Sequence, residues 1–345
     1  HWSNGDMRLN RRTLLSGAIA GAPTLTTRRA DAQSSPWTLL DDAGGPAARW
    51  DHVLLAAPDH QRLYLFGGRD GNGAALADLW AYDLTTKDWR QVEAPGPASR
   101  FGMAAAVTPD GRGFLLFGGQ SQDLFYNDLW AFDFESEAWT LLDDGSSTAP
   151  SPRYGLGGDF DASGRFLISH GFTFEGRFDD TWALDPLSAS WLDVSPAPES
   201  RPLRRCLHEV WATGDKSQLL LYAGCSSGYG PCPQGDLWSF DTASGRWTAI
   251  SPQAVPAARS NPAVSSSSLG SLLVGGLTES GPTADVWRGE FVGNQFTWEE
   301  LASASNIIPA RSSHDMAARG SDVYVFGGLG HEGALSDLWR LSLDQ

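Results

Sequence analysis

Asp78-Leu79-Trp80-Ala81-Tyr82-Asp83 and Asp128-Leu129-Trp130-Ala131-Phe132-Asp133 are two copies of one pattern, and its Asp-x-Trp core returns four more times. The further copies are Asp180-Thr181-Trp182, Asp236-Leu237-Trp238, Asp285-Val286-Trp287 and Asp337-Leu338-Trp339, so the tryptophans stand 49 to 56 residues apart. A second tryptophan follows each of the first five by nine to eleven residues: Trp89, Trp139, Trp191, Trp247 and Trp298. The sixth copy has no such partner, whereas Trp37, far upstream, is unclaimed. Self-similarity at a fixed period of this length marks a repeat architecture.

Each unit reads as four strands separated by turn residues. An apolar stretch follows an arginine, a β-rich run ends in a Gly-Gly doublet (Leu63 to Gly68, Phe114 to Gly119, Leu272 to Gly276, Val323 to Gly328), and the Asp-x-Trp strand and a strand centred on the second tryptophan follow. The doublet departs to His170-Gly171 and Ala223-Gly224 in repeats three and four. A unit of this size cannot bury two apolar faces alone, so it must stack on its copies, and radial stacking leaves only short, protected edges. The expected fold class is therefore all-β: a six-bladed propeller of four-stranded antiparallel blades. Trp37-Thr38-Leu39-Leu40-Asp41-Asp42 matches Trp139-Thr140-Leu141-Leu142-Asp143-Asp144, which predicts that residues 36 to 40 supply the missing fourth strand and close blade six.

The composition agrees with a packed chain. Of 345 residues 41% are apolar, with 15 Trp and 39 Gly, which excludes disordered and collagen-like classes. The formal net charge of −16 argues against nucleic-acid partners and anionic membranes. Residues 7 to 32 run from a basic stretch through a short apolar one (Leu14 to Ala22) to Ala30-Asp31-Ala32, the layout of a secretory signal. Nothing there is long enough to span a bilayer. Arg11-Arg12-Thr13-Leu14-Leu15 resembles the twin-arginine export motif, with Asn10 a modest departure. The domain reading is a removable export signal at 1–32 and a propeller at 33–345, in an exported, periplasmic or extracellular protein of a bacterium or archaeon, monomeric and not inserted in a membrane.

The Gly-Gly doublet, the Asp-x-Trp and the spaced second tryptophan, in register over the whole chain after the leader, resemble the kelch-repeat β-propeller family. In that architecture long connections gather on one face, where function is expected. An arginine opens each innermost strand there: Arg49, Arg100, Arg153, Arg205, Arg259 and Arg311. Six guanidinium groups around a channel mouth would suit carboxylate, sulfate or phosphate. The resemblance implies the same, since some kelch propellers receive acidic ligands at this position. The opposing reading is that each arginine bonds carbonyls or an acidic side chain within the blades.

Trp50, His170, Glu175 and His331 are further candidate ligand contacts on that face. His52, His208 and His314, three residues after their arginines, read as blade-internal hydrogen-bond donors. Of the three cysteines, Cys225 and Cys232 flank the longest loop and suit a disulfide in an exported chain, with Cys206–Cys225 as the competing pair. No metal site, cofactor or catalytic constellation is expected.

The leading functional expectation is thus a binding module for an acidic peptide or protein, or an anionic glycan. The alternative that the family resemblance raises is a sugar mutarotase or isomerase acting on a carboxylated sugar such as sialic acid, needing an acid or base from Glu175, His170 or His331. A galactose-oxidase-like copper enzyme fits less well, because Tyr64, Tyr82, Tyr222 and Tyr324 are strand positions. The Glu, Asp, His triad of plant specifier proteins is broken here, where Glu175 and Asp179 are followed by Ala183.

Overall fold

The computed structural model describes residues 35–345 apart from 146–147, 293–294 and 344–345, so the export signal expected at 1–32 lies outside the described residues. Six four-stranded antiparallel sheets follow one another, and in blades one to five the strands lie side by side in chain order. Blade one shows the plan: Val53–Ala57 innermost, then Arg62–Phe66, Leu79–Asp83 and Asp88–Val92. One 3-10 turn, Pro198–Ser200, is the only helical element among the described residues, and none of their helices is long and apolar enough to cross a membrane.

Blade six is assembled from both ends of the chain. Its inner three strands are Asp315–Arg319, Asp322–Phe326 and Leu338–Ser342, and the outermost is Trp37–Asp41, paired Trp37 to Leu341 and Leu39 to Trp339. The expected closing strand is in place. Trp37 is buried at 4% exposure and its indole N–H donates to the Ala304 carbonyl of blade five at 2.8 Å.

The core is divided among the seams. Six apolar clusters each join two neighbouring blades; Tyr64 and Phe66 of blade one, for example, pack with Phe114, Leu116 and Phe132 of blade two. The second tryptophan of each unit reaches back across a seam: Trp139 to Phe66 at 5.2 Å, Trp191 to Phe117 at 4.9 Å, Trp89 to Phe326 at 5.5 Å. Trp37 does the same from blade six to blade five. This is why the ring recurs once per unit: it supplies the large apolar area that locks one sheet on the next.

The doublet has a backbone reason. Its second residue is glycine in all six units, with φ between 96° and 113°, a conformation closed to side chains. A Cβ on Gly68 would lie 2.8 Å from His52 Cβ. The first residue needs only the left-handed region, and His170 (φ 61°) and Ala223 (φ 72°) adopt it.

Candidate functional site

The six arginines are structural clamps and form no anion-binding ring. Arg49 Nη1 and Nη2 donate to the two carboxylate oxygens of Asp78 at 2.7 and 2.8 Å; Nη1 also donates to the Gly67 carbonyl and Nε to that of Ala47. The same fork joins Arg100 to Asp128, Arg153 to Asp180, Arg205 to Asp236, Arg259 to Asp285 and Arg311 to Asp337. All six arginines are 0–1% exposed. Each aspartate is the first residue of Asp-x-Trp, and its second oxygen also accepts the indole N–H of that tryptophan, as Asp78 does from Trp80 at 2.7 Å. Arginine, aspartate and tryptophan are thus one hydrogen-bonded unit per blade, tying the first strand to the third. Burial alone would raise the carboxyls of Asp78, Asp180, Asp236 and Asp285, but the arginine's hydrogen bonds and charge prevail and hold all four below the ordinary range.

Two residues beyond each arginine the chain turns left-handed in every blade, at Asp51, Gly102, Gly155, Leu207, Asn261 and Ser313, with φ between 48° and 63°. Each of these residues donates its N–H to the carbonyl of its counterpart in the preceding blade at 2.8–3.0 Å, and Asp51 donates to Ser313. The six bonds close into a belt at the channel mouth. It satisfies backbone groups that the inner edge of each sheet would otherwise leave bare.

Below the belt runs an open channel of about 510 Å³ lined by the six innermost strands, and its ionisable lining is mainly acidic. Asp51 lies at the belt, Glu209 and Asp315 two residues deeper on blades four and six, and Asp159 two deeper again on blade three. Asp159 accepts the Ala212 N–H at 2.9 Å and Asp315 the Leu54 N–H at 2.7 Å, so both staple a seam. Burial pushes the Asp315 carboxyl up to about 7, its backbone hydrogen bonds opposing, and burial reinforced by the charge of Asp315 holds Glu209 well above the ordinary range. Lys216 is the one cation among the lining residues.

A carboxyl whose folded pKa is raised is bound to a proton that the unfolded chain has lost, so its contribution to stability falls as pH climbs between the two values. For Asp315 that window runs from 3.8 to about 7. Glu209 makes no side-chain hydrogen bond among the described residues, so Glu209→Gln is expected to raise the thermal midpoint by a few degrees at pH 8 and leave it unchanged at pH 4. Circular-dichroism melts read this directly, and a lower midpoint at pH 8 would contradict it.

The other predicted contacts are scattered. His170 is fully buried in the seam between blades three and four, its Nδ1 2.6 Å from Ser169 Oγ and its ring 5.4 Å from that of His208. Burial, with the charges of neighbouring His208 and Arg205, forces its pKa far down, so the ring is neutral at neutral pH. Glu175 is exposed at the turn of a two-residue hairpin in blade three, and His331 is exposed on a loop of blade six. The acid–base partners that a sugar isomerase would need are therefore not brought together. Trp50 is half-buried and its backbone pairs with that of Arg69.

His52, His208 and His314 are buried between blades rather than within them. Each approaches a carbonyl of the preceding blade, of Phe326, Ser169 and Val274, without completing a well-directed hydrogen bond. Burial lowers His52 and His208 to about 3, so they are neutral packing groups. Cys225 and Cys232 form a disulfide with Cα atoms 4.4 Å apart; Cys206 is a buried free thiol.

Over blades one to three a run of aromatic rings leads from buried Phe101, 4% exposed, out to the loop-rich face. Arg69 lies 3.6 Å above the Phe101 ring; Phe101 meets Tyr154 at 5.5 Å, Tyr154 meets Phe172 at 6.5 Å, and Phe125 meets both Phe172 and Phe174. Phe174 is 65% exposed. Arg69 makes a 3.2 Å ion pair with Asp51, while its Nε is buried with no hydrogen-bond partner among the described residues. The sequence carried a signal for this patch: the residue after the clamp arginine is Trp50, Phe101 and Tyr154 in blades one to three, but Cys206, Ser260 and Ser312 in blades four to six.

A closed ring of Asp-x-Trp blades with doublet glycines and buried clamp arginines defines a Kelch propeller, a protein-binding module fold. The chain matches the KLHDC2/KLHL20/DRC7 Kelch-repeats domain over residues 20–224 and 195–345, and it belongs to that family. It is 29% identical to bovine (Bos taurus) Kelch domain-containing protein 3 over 226 residues, covering 60% of this chain and 55% of the relative. It is 32% identical over 162 residues to the flagellar outer-arm dynein alpha chain of Chlamydomonas reinhardtii, covering 43% of this chain and 3% of that one. Acyl-CoA-binding domain-containing protein 5 of Arabidopsis thaliana is 29% identical over 177 residues, covering 50% of this chain and 26% of the relative. The chain thus spans about half the length of Kelch domain-containing protein 3.

Proposed function

We propose that the chain is an exported, monomeric binding module that takes an acidic protein segment on the loop-rich face of blades one to three. The carrying observation is the aromatic run over blades one to three, which surfaces at half-buried Phe125 and Phe172 and at exposed Phe174, with half-buried Tyr154 and buried Phe101 behind them. Aromatic and arginine side chains dominate binding energy at protein interfaces, and this composition contrasts with the small residues at the matching positions of blades four to six. The acidic specificity rests on Arg69, a half-buried guanidinium that is backed by the Phe101 ring and held by Asp51 at 3.2 Å. With a net charge of −16 the chain offers an acidic partner no long-range attraction, so recognition has to be short-range and local to that guanidinium. The basic stretch, short apolar run and small-residue site of residues 7–32 support export; N-terminal sequencing of the secreted protein tests it, with a start near residue 33 expected.

The test of binding is selection from a displayed peptide library by the purified propeller. Enrichment of acidic sequences is expected, with Phe174→Ser and Arg69→Gln each weakening the selected peptides roughly tenfold or more. Phe174 is exposed, so its replacement leaves the melting temperature unchanged. Enrichment of basic peptides, of anionic glycans in a parallel array, or affinities indifferent to both substitutions would refute the proposal.

A further inference from the structure

Cys206 is a buried free thiol beside the Cys225–Cys232 disulfide. Cys206 opens the innermost strand of blade four (Cys206–Ala212) and Cys225 ends the next strand (Gln218–Cys225); the two are paired residue to residue across the antiparallel ladder. Side chains directly opposite each other in such a ladder share a face, with Cβ atoms about 4.5–5.5 Å apart, close to the spacing a disulfide requires. Cys225 is therefore flanked by two possible partners, the one it holds in the loop and the one beside it in the sheet. Arg177, from the neighbouring blade, attends both. Its Nη2 lies 3.6 Å from Cys225 Sγ; burial raises the Cys206 thiol above its ordinary value, and the Arg177 charge and a hydrogen bond oppose that only in part. The same guanidinium donates to the Cys225 and Ser227 carbonyls, so it is held in place.

We propose that Cys206, Cys225 and Cys232 form an intramolecular thiol–disulfide exchange site in which Cys206 displaces Cys232. The Cys206 thiolate attacks Cys225 Sγ, the Cys225–Cys232 bond breaks, a Cys206–Cys225 bond forms, and the proton given up by Cys206 ends on Cys232. One thiol and one disulfide exist before and after, so no external oxidant or reductant is consumed. Cys206 is only 3% exposed, which shields it from outside reagents without impeding an attack on the residue beside it. The product differs in one respect: the 226–232 segment loses its covalent tie at Cys232. That segment carries Tyr229, 48% exposed, with the Arg204 guanidinium 5.5 Å from its ring, so exchange alters the loop-rich face at blade four. The exchange chemistry stands independently of the proposed partner.

The deciding experiment uses the native, unmodified chain. After incubation in mildly alkaline buffer the protein is quenched in acid, denatured, alkylated and mapped by mass spectrometry. Label on Cys232, with a Cys206–Cys225 linked peptide, is the expected result, and its share grows as the incubation buffer is made more alkaline. Label confined to Cys206 under all conditions would overturn the proposal. Cys232→Ser tests reach separately: oxidation of the folded variant is expected to consume both remaining thiols as a Cys206–Cys225 bridge, and persistence of both thiols would equally overturn it. Cys206→Ser, which retains the original bridge, should show no label on Cys232 in either buffer.

Discussion

Replacing Arg153 by alanine unfolds the protein instead of weakening a ligand. The substitution removes a guanidinium that is fully buried and leaves the Asp180 carboxylate, 21% exposed, facing an emptied site with the Trp182 indole still donating to it. Breaking one partner of such a buried pair costs about 3–5 kcal/mol, a large part of the total stability of a domain. Arg153→Lys is expected to fall between, since an ammonium cannot reproduce the two-pronged contact with Asp180 and the simultaneous bonds to the His170 and Ser151 carbonyls. Urea titration followed by circular dichroism reads both; an alanine variant within about 0.5 kcal/mol of wild type would show that the clamp is dispensable. The clamp also sets the acid limit. Carboxyls with lowered folded pKa values add stability that is complete above the unfolded value and lost as pH falls toward the folded one. With Asp78, Asp180, Asp236 and Asp285 all shifted this way, the midpoint is expected to drop steeply below about pH 4.

Removing residues up to 45 opens the ring. The truncation takes away the outermost strand of blade six and exposes the edge of Leu338–Ser342 to solvent. It also removes Trp37 from the seam with blade five, and Gly45, which packs so close to Trp89 that a Cβ would fall 2.3 Å from its Cδ1. The Trp37→Ala change alone is expected to cost about 3–5 kcal/mol, or roughly 5–8 °C in melting temperature. The full truncation should broaden the transition as well, because a ring with a gap lets its end blades fray independently. Adding a peptide of residues 35–45 in trans is expected to restore part of the loss. Full stability in the truncated chain would show that the seams alone hold the propeller closed.

The blades and their closure were legible because both rest on local patterns that recur. Trp37 could be assigned by its neighbours, Thr38-Leu39-Leu40-Asp41-Asp42, which repeat those after Trp139. The fate of the arginines was harder to see. Arginine and its aspartate are 26 to 31 residues apart in sequence, and only the fold lays the first strand near the third. The signal was nevertheless present: every unit carries one arginine and one aspartate at fixed places, and opposite charges that recur together invite pairing before they invite a ligand. The belt was half legible, since Asp51, Gly102, Gly155, Asn261 and Ser313 are residues suited to turns, while Leu207 hides the sixth member. His170 misled because its place in a doublet, next to a loop, reads as exposed, and packing between blades turned it inward.

From its sequence alone this chain is determined to be six copies of a four-stranded unit with the first strand returned to the last blade. Those features depend on spacing and residue type within a unit, which the backbone and the need to bury tryptophan enforce locally. The tertiary structure decided where charge is available. Curling the repeats into a ring sinks every clamp arginine against an aspartate, gathers Asp51, Glu209, Asp315 and Asp159 from four different repeats into one channel, and leaves Arg69 half-buried and Phe174 at the surface. Electrostatic availability is a property of burial and of neighbours distant in sequence, and only closure of the ring settles either.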